Sequence, residues 1–465
     1  MGVRQRQVPL PPPSPMSGQI SFSSIVGGDT MATNYGSLND NSGKNLPGAK
    51  SSALQASLSI AVLAGIVALL VILFGGVAAK AIIAVVVVVY VLAFAGFCYA
   101  AVPFSSSAVL VPFIAVKLQL QVVYLLLAYA ARGFKPAFPQ WTLAYELTVM
   151  MMRFAFADYG HLVGGKNGHL LRMPFHLHGK FILQSNSRKH GTIPEKLVAN
   201  GMEHMWLRDA EKKDMRVVVI HFHGGAYVVS DPLQDVELAN QTHTKLKQIL
   251  KEKYQLDVSV DVLLANYRMA PEFLYPTALN DCFDMYKYVL EHENITPNHV
   301  VLSGDSAGGE MTLTNCMRLR DTTPELKPAA ALCYSPLVDL GETGGDDITP
   351  HCLLAASFLD TSLETYLRTV DDPNPRFKVS PINQNLKDLP PTFVQFGTLE
   401  RFYEQGLRFK ANADAQGVTN MELDLLENIV HDAVMLPTAV SPAAEGAICN
   451  ACAFAAKYLA PILKA

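Results

Sequence analysis

A serine set between glycines at the end of an apolar run is the residue type and setting that an acyl-transfer nucleophile needs, and this chain has one at Ser306. The stretch reads Val300-Val301-Leu302-Ser303-Gly304-Asp305-Ser306-Ala307-Gly308-Gly309, and helix formers follow from Glu310 to Leu313. A Gly-x-Ser-x-Gly motif between a strand and a helix is a nucleophile elbow; without that context it is an ordinary strand-to-helix turn. The turn is sharp, so Gly304 and Gly308 must be small. It lifts the Ser306 hydroxyl above the strand end and leaves the N–H of Ala307 facing a developing oxyanion.

Acyl transfer also needs a base, an acid to orient it, and further oxyanion donors. The run 216–222 leads into His223-Gly224-Gly225-Ala226, where adjacent glycines let the backbone approach a substrate. Gly224, Gly225 and Ala307 are the expected donors, each worth about 3 kcal/mol in the barrier. The expected base is His431, in a loop after the run 421–426; imidazole suits proton transfer near neutral pH. The expected acid is Glu400, after the run 392–396. Asp371 and Asp372 lie in a Pro-rich loop, and Asp432 is too close in sequence to His431 to orient it. The order Ser306, Glu400, His431 is that of an α/β-hydrolase. The chemistry needs no metal or cofactor.

These residues sit at the ends of elements that alternate. Strands are predicted at 216–222, 258–265, 299–303, 329–334, 392–396 and 421–426. Helices are predicted at 233–254, 277–293, 306–320, 403–416 and 442–463. Alternation of this kind implies a mostly parallel sheet covered on both faces. Residues 341–380 interrupt it and are expected to form a lid. Residues 136–210 read as irregular, with a helical pattern over 142–156. The histidines 161, 169, 176, 178 and 190 fall here without an H-E-x-x-H motif or a cysteine partner, which argues against a metal site. The alternating His176 and His178 predict one face of a strand.

The 465 residues are half hydrophobic and only 17% charged, with a formal net charge of −4 and no basic block, so nucleic acid is not an expected partner. Seven scattered cysteines are no disulfide framework, and Cys449 and Cys452 read as two buried thiols in a helical tail. Residues 1–52 are Pro-, Ser-, Gly- and Asn-rich and are expected to be a disordered tail, not a signal peptide. The stretches 54–74 and 81–102 are uncharged except at their joint, Lys80, and each is long enough to cross a bilayer. A third, 109–131, is interrupted by Pro112, Lys117, Gln119 and Gln121, and reads as a third span or an interfacial helix. The basic residues Arg4, Arg6, Lys44, Lys50, Arg132 and Lys135 flank this region on both sides. They favour two cytoplasmic ends if there are two spans. A membrane-held location, such as the endoplasmic reticulum, is expected for the domain 136–465. The sequons at Asn240 and Asn294 matter only on the lumenal side.

The chain resembles the hormone-sensitive-lipase-like α/β-hydrolases, which include arylacetamide deacetylases and fungal steryl acetyl hydrolases. The resemblance rests on His223-Gly-Gly-Ala226, Tyr267-Arg-Met-Ala-Pro-Glu272, Gly304-Asp-Ser-Ala-Gly-Gly309, Pro390-Pro391 ahead of Glu400, and His431. It covers roughly residues 210–435. It implies that Arg268, Glu272 and Asp305 are structural. Ala226 departs from the family's third glycine, and Glu400 from its usual aspartate. The expected function is a membrane-anchored serine ester hydrolase acting on lipophilic short-acyl esters. An amide deacylase, or a lipophilic-ligand-binding protein on the same scaffold, is the alternative.

Overall fold

The computed structural model describes residues 111–165, 168–344 and 349–465. The polar tail and the two stretches 54–74 and 81–102 lie outside the described residues. The described chain opens with three helices, α1 Val111–Ala131, α2 Leu143–Tyr159 and α3 Met173–His190. Then come β1 Thr192–Ala199, β2 Met202–Asp209, β3 Arg216–Phe222, α4 Val236–Tyr254, β4 Ser259–Ala265 and α5 Thr277–His292. They are followed by β5 Val300–Asp305, α6 Ser306–Thr322, β6 Ala330–Tyr334, α7 Ala356–Tyr366 and α8 Pro375–Val379. The chain closes with β7 Thr392–Gly397, α9 Tyr403–Ala415, β8 Met421–Leu426 and α10 Ala444–Lys464.

The strands form one eight-stranded sheet in the order β1-β2-β4-β3-β5-β6-β7-β8. Pairing is antiparallel for β1–β2 and β2–β4, and parallel from β4 onward. A parallel sheet needs both faces covered, which is why its strands are apolar throughout rather than alternating. In β3, Val218, Ile220 and Phe222 join the core on one face, and Val217 and Val219 join the core on the other. The first core takes in α2, α5, α6 and α7; the second takes in α4 and α10. Among the described residues, α10 alone is long and apolar enough to cross a membrane. It is instead a core helix, with Ala447, Ala451, Ala455 and Leu459 fully buried against the sheet.

Two features depart from expectation. Residues 173–209 are regular, not irregular: α3 carries Pro174 at its start and ends at Gly191, φ 72°, and β1–β2 is an antiparallel hairpin. His176 and His178 therefore lie on a helix, not on one face of a strand. The hairpin turn is Asn200-Gly201, with φ 51° and 74°. An Asn-Gly pair suits such a turn because both positions need positive φ. The buried Asn240 side chain bonds Asn186 and Thr192 between α3 and β1, so that sequon is inaccessible in the folded domain; Asn294 is exposed.

Glu310, in α6, is buried. It accepts from Tyr227 Oη at 2.9 Å and Thr314 Oγ1 at 2.5 Å. Burial lifts its carboxyl to about 7, and these two donors offset only part of the rise. The folded state thus holds the proton more tightly than the unfolded chain, where the group titrates near 4.5. The contribution is full below that value and is lost as pH climbs through about 7. Glu310→Gln is expected to remove a loss on the order of 3 kcal/mol between about pH 4 and pH 8. Urea unfolding of wild type and variant at both pH values checks this; equal slopes would show that Glu310 stays ionised.

Candidate active site

β5 runs straight into Ser306, which begins α6 with φ 48°. A non-glycine residue in that region costs on the order of 1–3 kcal/mol and persists only where its surroundings hold it. The surroundings are tight. A methyl group on Gly304 would stand 2.3 Å from the carbonyl oxygen of Gly308, and one on Gly308 would stand 1.9 Å from that of Phe222. The two flanking glycines are therefore sterically required, as the motif implied.

Three side chains expected to act together meet above the strand ends. His431 Nε2 lies 3.0 Å from Ser306 Oγ. His431 Nδ1 lies 3.4 Å from Glu400 Oε2, an ion-pair distance, and both groups are buried. Glu400 follows β7 and His431 follows β8, and their loops interlock. The N–H of Leu399 donates to the Ile429 carbonyl at 2.9 Å, and that of Asn428 to Thr398 Oγ1 at 2.8 Å. Phe402 sets its ring edge to face at 4.9 Å from the imidazole. The base's loop is also clasped from the N-terminal side: Trp141 Nε1 donates to the Asn428 carbonyl at 2.7 Å, and Gln140 Nε2 to that of Glu427 at 2.6 Å. Asp371 and Asp372 take no part; Asp372 pairs with Lys378 at 3.3 Å.

The expected oxyanion donors divide. Gly225 and Ala226 line a cavity that also contains Ser306 and His431. Gly224 is not among the residues lining it, and a methyl group there would meet Asp305 Oδ2 at 2.2 Å, so the position must be a glycine. Ala226 was missed because it breaks the glycine run, yet it takes φ 51° beside Gly225 at φ 108°. Ala307 follows Ser306 at the helix start and is fully buried. The cavity is about 40 Å³, and its apolar lining includes Phe156, Phe175, Leu354 and Phe358. Leu354 and Phe358 come from the insertion 341–380, which Arg401 ties down by donating to the carbonyls of Thr343 and Gly344.

Beneath the site lies a buried layer of charge. His221 Nε2 is 3.1 Å from Asp305 Oδ1 and 3.4 Å from Asp235 Oδ2. Burial alone would depress His221, but the two carboxylates outweigh it and hold it up at about 9. Asp235 rises to about 6 through burial and the nearby Asp305, while Asp305 is held low by His221 despite burial. Asp432 is driven well up by burial and by Asp305, which it faces. Among the described residues, His221, Asp235 and Asp305 form the one grouping whose donor atoms are close enough to hold a metal. The protonated His221 between two carboxylates already occupies a cation's place there. Asp305 is thus an ion-pair partner. Arg268 chelates Asp281, with Nη2 at 2.7 Å, and Glu272 holds Arg172 at 2.7 Å. All three brace the scaffold.

Residues 219–435 match the family described as alpha/beta hydrolase fold. The chain is 32% identical over 205 residues to an esterase of Acinetobacter venetianus and 33% identical over 202 residues to an acetyl-hydrolase of Streptomyces hygroscopicus. Each match covers 43% of this chain and 62% of the relative. Over the matched residues the chain has the α/β-hydrolase fold. A solved esterase from the bacterial hormone-sensitive lipase family shares this fold. Its TM-score is 0.55 at 23% identity, over 68% of this chain and 99% of that one.

Ser335 is the residue that sequence reasoning overlooked. It follows β6 directly, with φ 43°. Its hydroxyl donates to Glu400 Oε2 at 2.6 Å and accepts the N–H of Asp432 at 3.0 Å. One hydroxyl thus links the acid's long arm to the backbone beside His431. The available signal was its place at the C-terminal end of the strand next to the nucleophile's. Ser335→Ala is expected to lower kcat for ester hydrolysis roughly 10- to 100-fold with KM little changed, the rate equivalent of one hydrogen bond to a charged group. Steady-state kinetics check this, and Ser335→Thr should restore most of the rate.

Proposed function

We propose that this α/β-hydrolase is a membrane-anchored serine carboxylic-ester hydrolase acting on lipophilic short-acyl esters. The observation that carries the reading is the 3.0 Å approach of His431 Nε2 to Ser306 Oγ in a buried, apolar cavity. His431 takes the Ser306 proton as Oγ bonds to the ester carbonyl carbon. The carbonyl oxygen becomes an oxyanion within reach of the N–H groups of Ala307, Gly225 and Ala226. Glu400 stabilises the imidazolium; a bond long in the resting enzyme tightens as charge develops. The carbon–oxygen bond to the alcohol then breaks, and His431 returns its proton to the leaving alkoxide. Water, activated by the same imidazole, releases the acid from the acyl-serine and restores the hydroxyl. No step calls for a metal or cofactor.

Substrate class is argued from the walls. Phe156, Phe175, Leu354 and Phe358 offer apolar contact, and a cavity of about 40 Å³ suits a short acyl group better than a long chain. One similar protein is an acetyl-hydrolase and another an esterase. The uncharged stretches 54–74 and 81–102 support anchoring. A bilayer-held site meets esters that partition into lipid.

A fluorophosphonate probe is expected to label the wild type and neither Ser306→Ala nor His431→Ala. Turnover of a short-chain aryl ester should fall roughly a thousandfold or more in both variants. An unlabelled wild type, in detergent and in membranes alike, would overturn the reading.

A further inference from the structure

α3 has a second face that the chemistry does not use. Met173, Leu177 and Phe181 are spaced four apart, so they form one stripe along the helix. All three are exposed, Phe181 to 86%. The opposite side packs, through Gly179, Leu183 and Ser187. Gly179 is so close to α4's approach that a methyl group would meet the Leu233 carbonyl at 2.0 Å. The stripe therefore points away from the domain by necessity. Its flanks are basic: Lys180, Arg188 and Lys189 are exposed on the same helix, and α3 contains no aspartate or glutamate.

We infer that α3 lays this stripe into the surface of a bilayer carrying anionic lipid. Burying Phe, Leu and Met side chains in hydrocarbon is favourable in proportion to their apolar area. A basic residue near an anionic surface adds an electrostatic attraction. Together they match an amphipathic helix that lies in the interface. A protein groove would accept the apolar stripe, but the exposed basic residues that α3 itself carries favour an anionic partner, although Asp231 pairs with His176 beside it. The inference rests on the membrane-anchored reading, since the apolar stretches 54–74 and 81–102 would hold the domain close to lipid. It also has a bearing on the site. Phe175, on the same helix, lines the cavity, and Arg172 at its start donates to the carbonyls of Val228 and Ala270 at 2.9 and 2.7 Å. The helix that would touch lipid is thus a wall of the reaction chamber.

The chain's two tryptophans, Trp141 and Trp206, are 3% and 0% exposed, so a third one reports cleanly. Full-length Phe181→Trp is reconstituted in vesicles of phosphatidylcholine with phosphatidylserine, with and without brominated acyl chains. Brominated lipid should quench the added fluorescence about twofold, more so as phosphatidylserine rises, and Arg188→Glu with Lys189→Glu should weaken that dependence. Quenching by acrylamide alone would overturn the inference. So would protection from both quenchers, which would mean that another protein surface covers the stripe. In a second arm, Leu177→Asp with Phe181→Asp should lower turnover of a bilayer-dissolved acetate ester roughly tenfold while leaving a water-soluble acetate ester unaffected. Equal loss on both esters would count against docking. Quenching needs no catalysis, so a failed hydrolase reading and a failed docking surface give different results.

Discussion

The backbone of Gly308 presses against the carbonyl of Phe222 so closely that no side chain fits between them. This contact joins the start of α6 to the end of β3, and the rest of the site is placed by it. β3 and β5 are hydrogen-bonded neighbours with Phe222 opposite Gly304, so both strands stop at one level. One then releases the loop with Gly225 and Ala226, and the other turns through Ser306. Further along the sheet, β7 and β8 end side by side with Gly397 opposite Leu426, and their loops bring acid and base over the hydroxyl. A parallel sheet gathers its strand ends on one side, which is why residues 225, 306, 400 and 431 converge.

Charge below the hydroxyl is arranged as carefully as backbone above it. Ions buried without partners cost several kcal/mol each. Here His221 carries the positive charge, Asp305 the negative one, and Asp432 is driven towards its neutral form. With Asp432 turned towards Asp305, the carboxylate beside the imidazole is that of Glu400. Ser335 then compensates for the extra methylene of a glutamate by fixing its far end.

Much of this was legible in the chain, for identifiable reasons. The strands and helices from 216 onward were readable because buried parallel strands are uniformly apolar and bounded by glycine, proline and polar turns. Ser306, Glu400 and His431 were readable because each follows such a strand. Gly224 and Gly225 look alike in sequence, and only the structure shows that Gly225 lines the cavity while Gly224 packs against the Asp305 side chain. The hairpin of β1 and β2 was missed despite Asn200-Gly201, because Glu195, Lys196 and Glu203 make those outer strands too polar for the core pattern. His221 and Asp235 could not be seen at all. Their importance lies in what faces them across the sheet, and a linear pattern does not encode that.

The loop bearing His431 does not stand on the sheet alone. Gln140 and Trp141 hold the carbonyls of Glu427 and Asn428, and the hydroxyl of Tyr145 meets the N–H of Val430 at 3.4 Å. Gln140 and Trp141 stand between α1 and α2 and Tyr145 in the first turn of α2, well ahead of the stretch 219–435 that matches the family model. The loop that carries His431 is therefore fastened by residues that lie near the start of the described domain. A change at positions 140 or 141 acts on the imidazole's loop without touching the sheet that supports it from below.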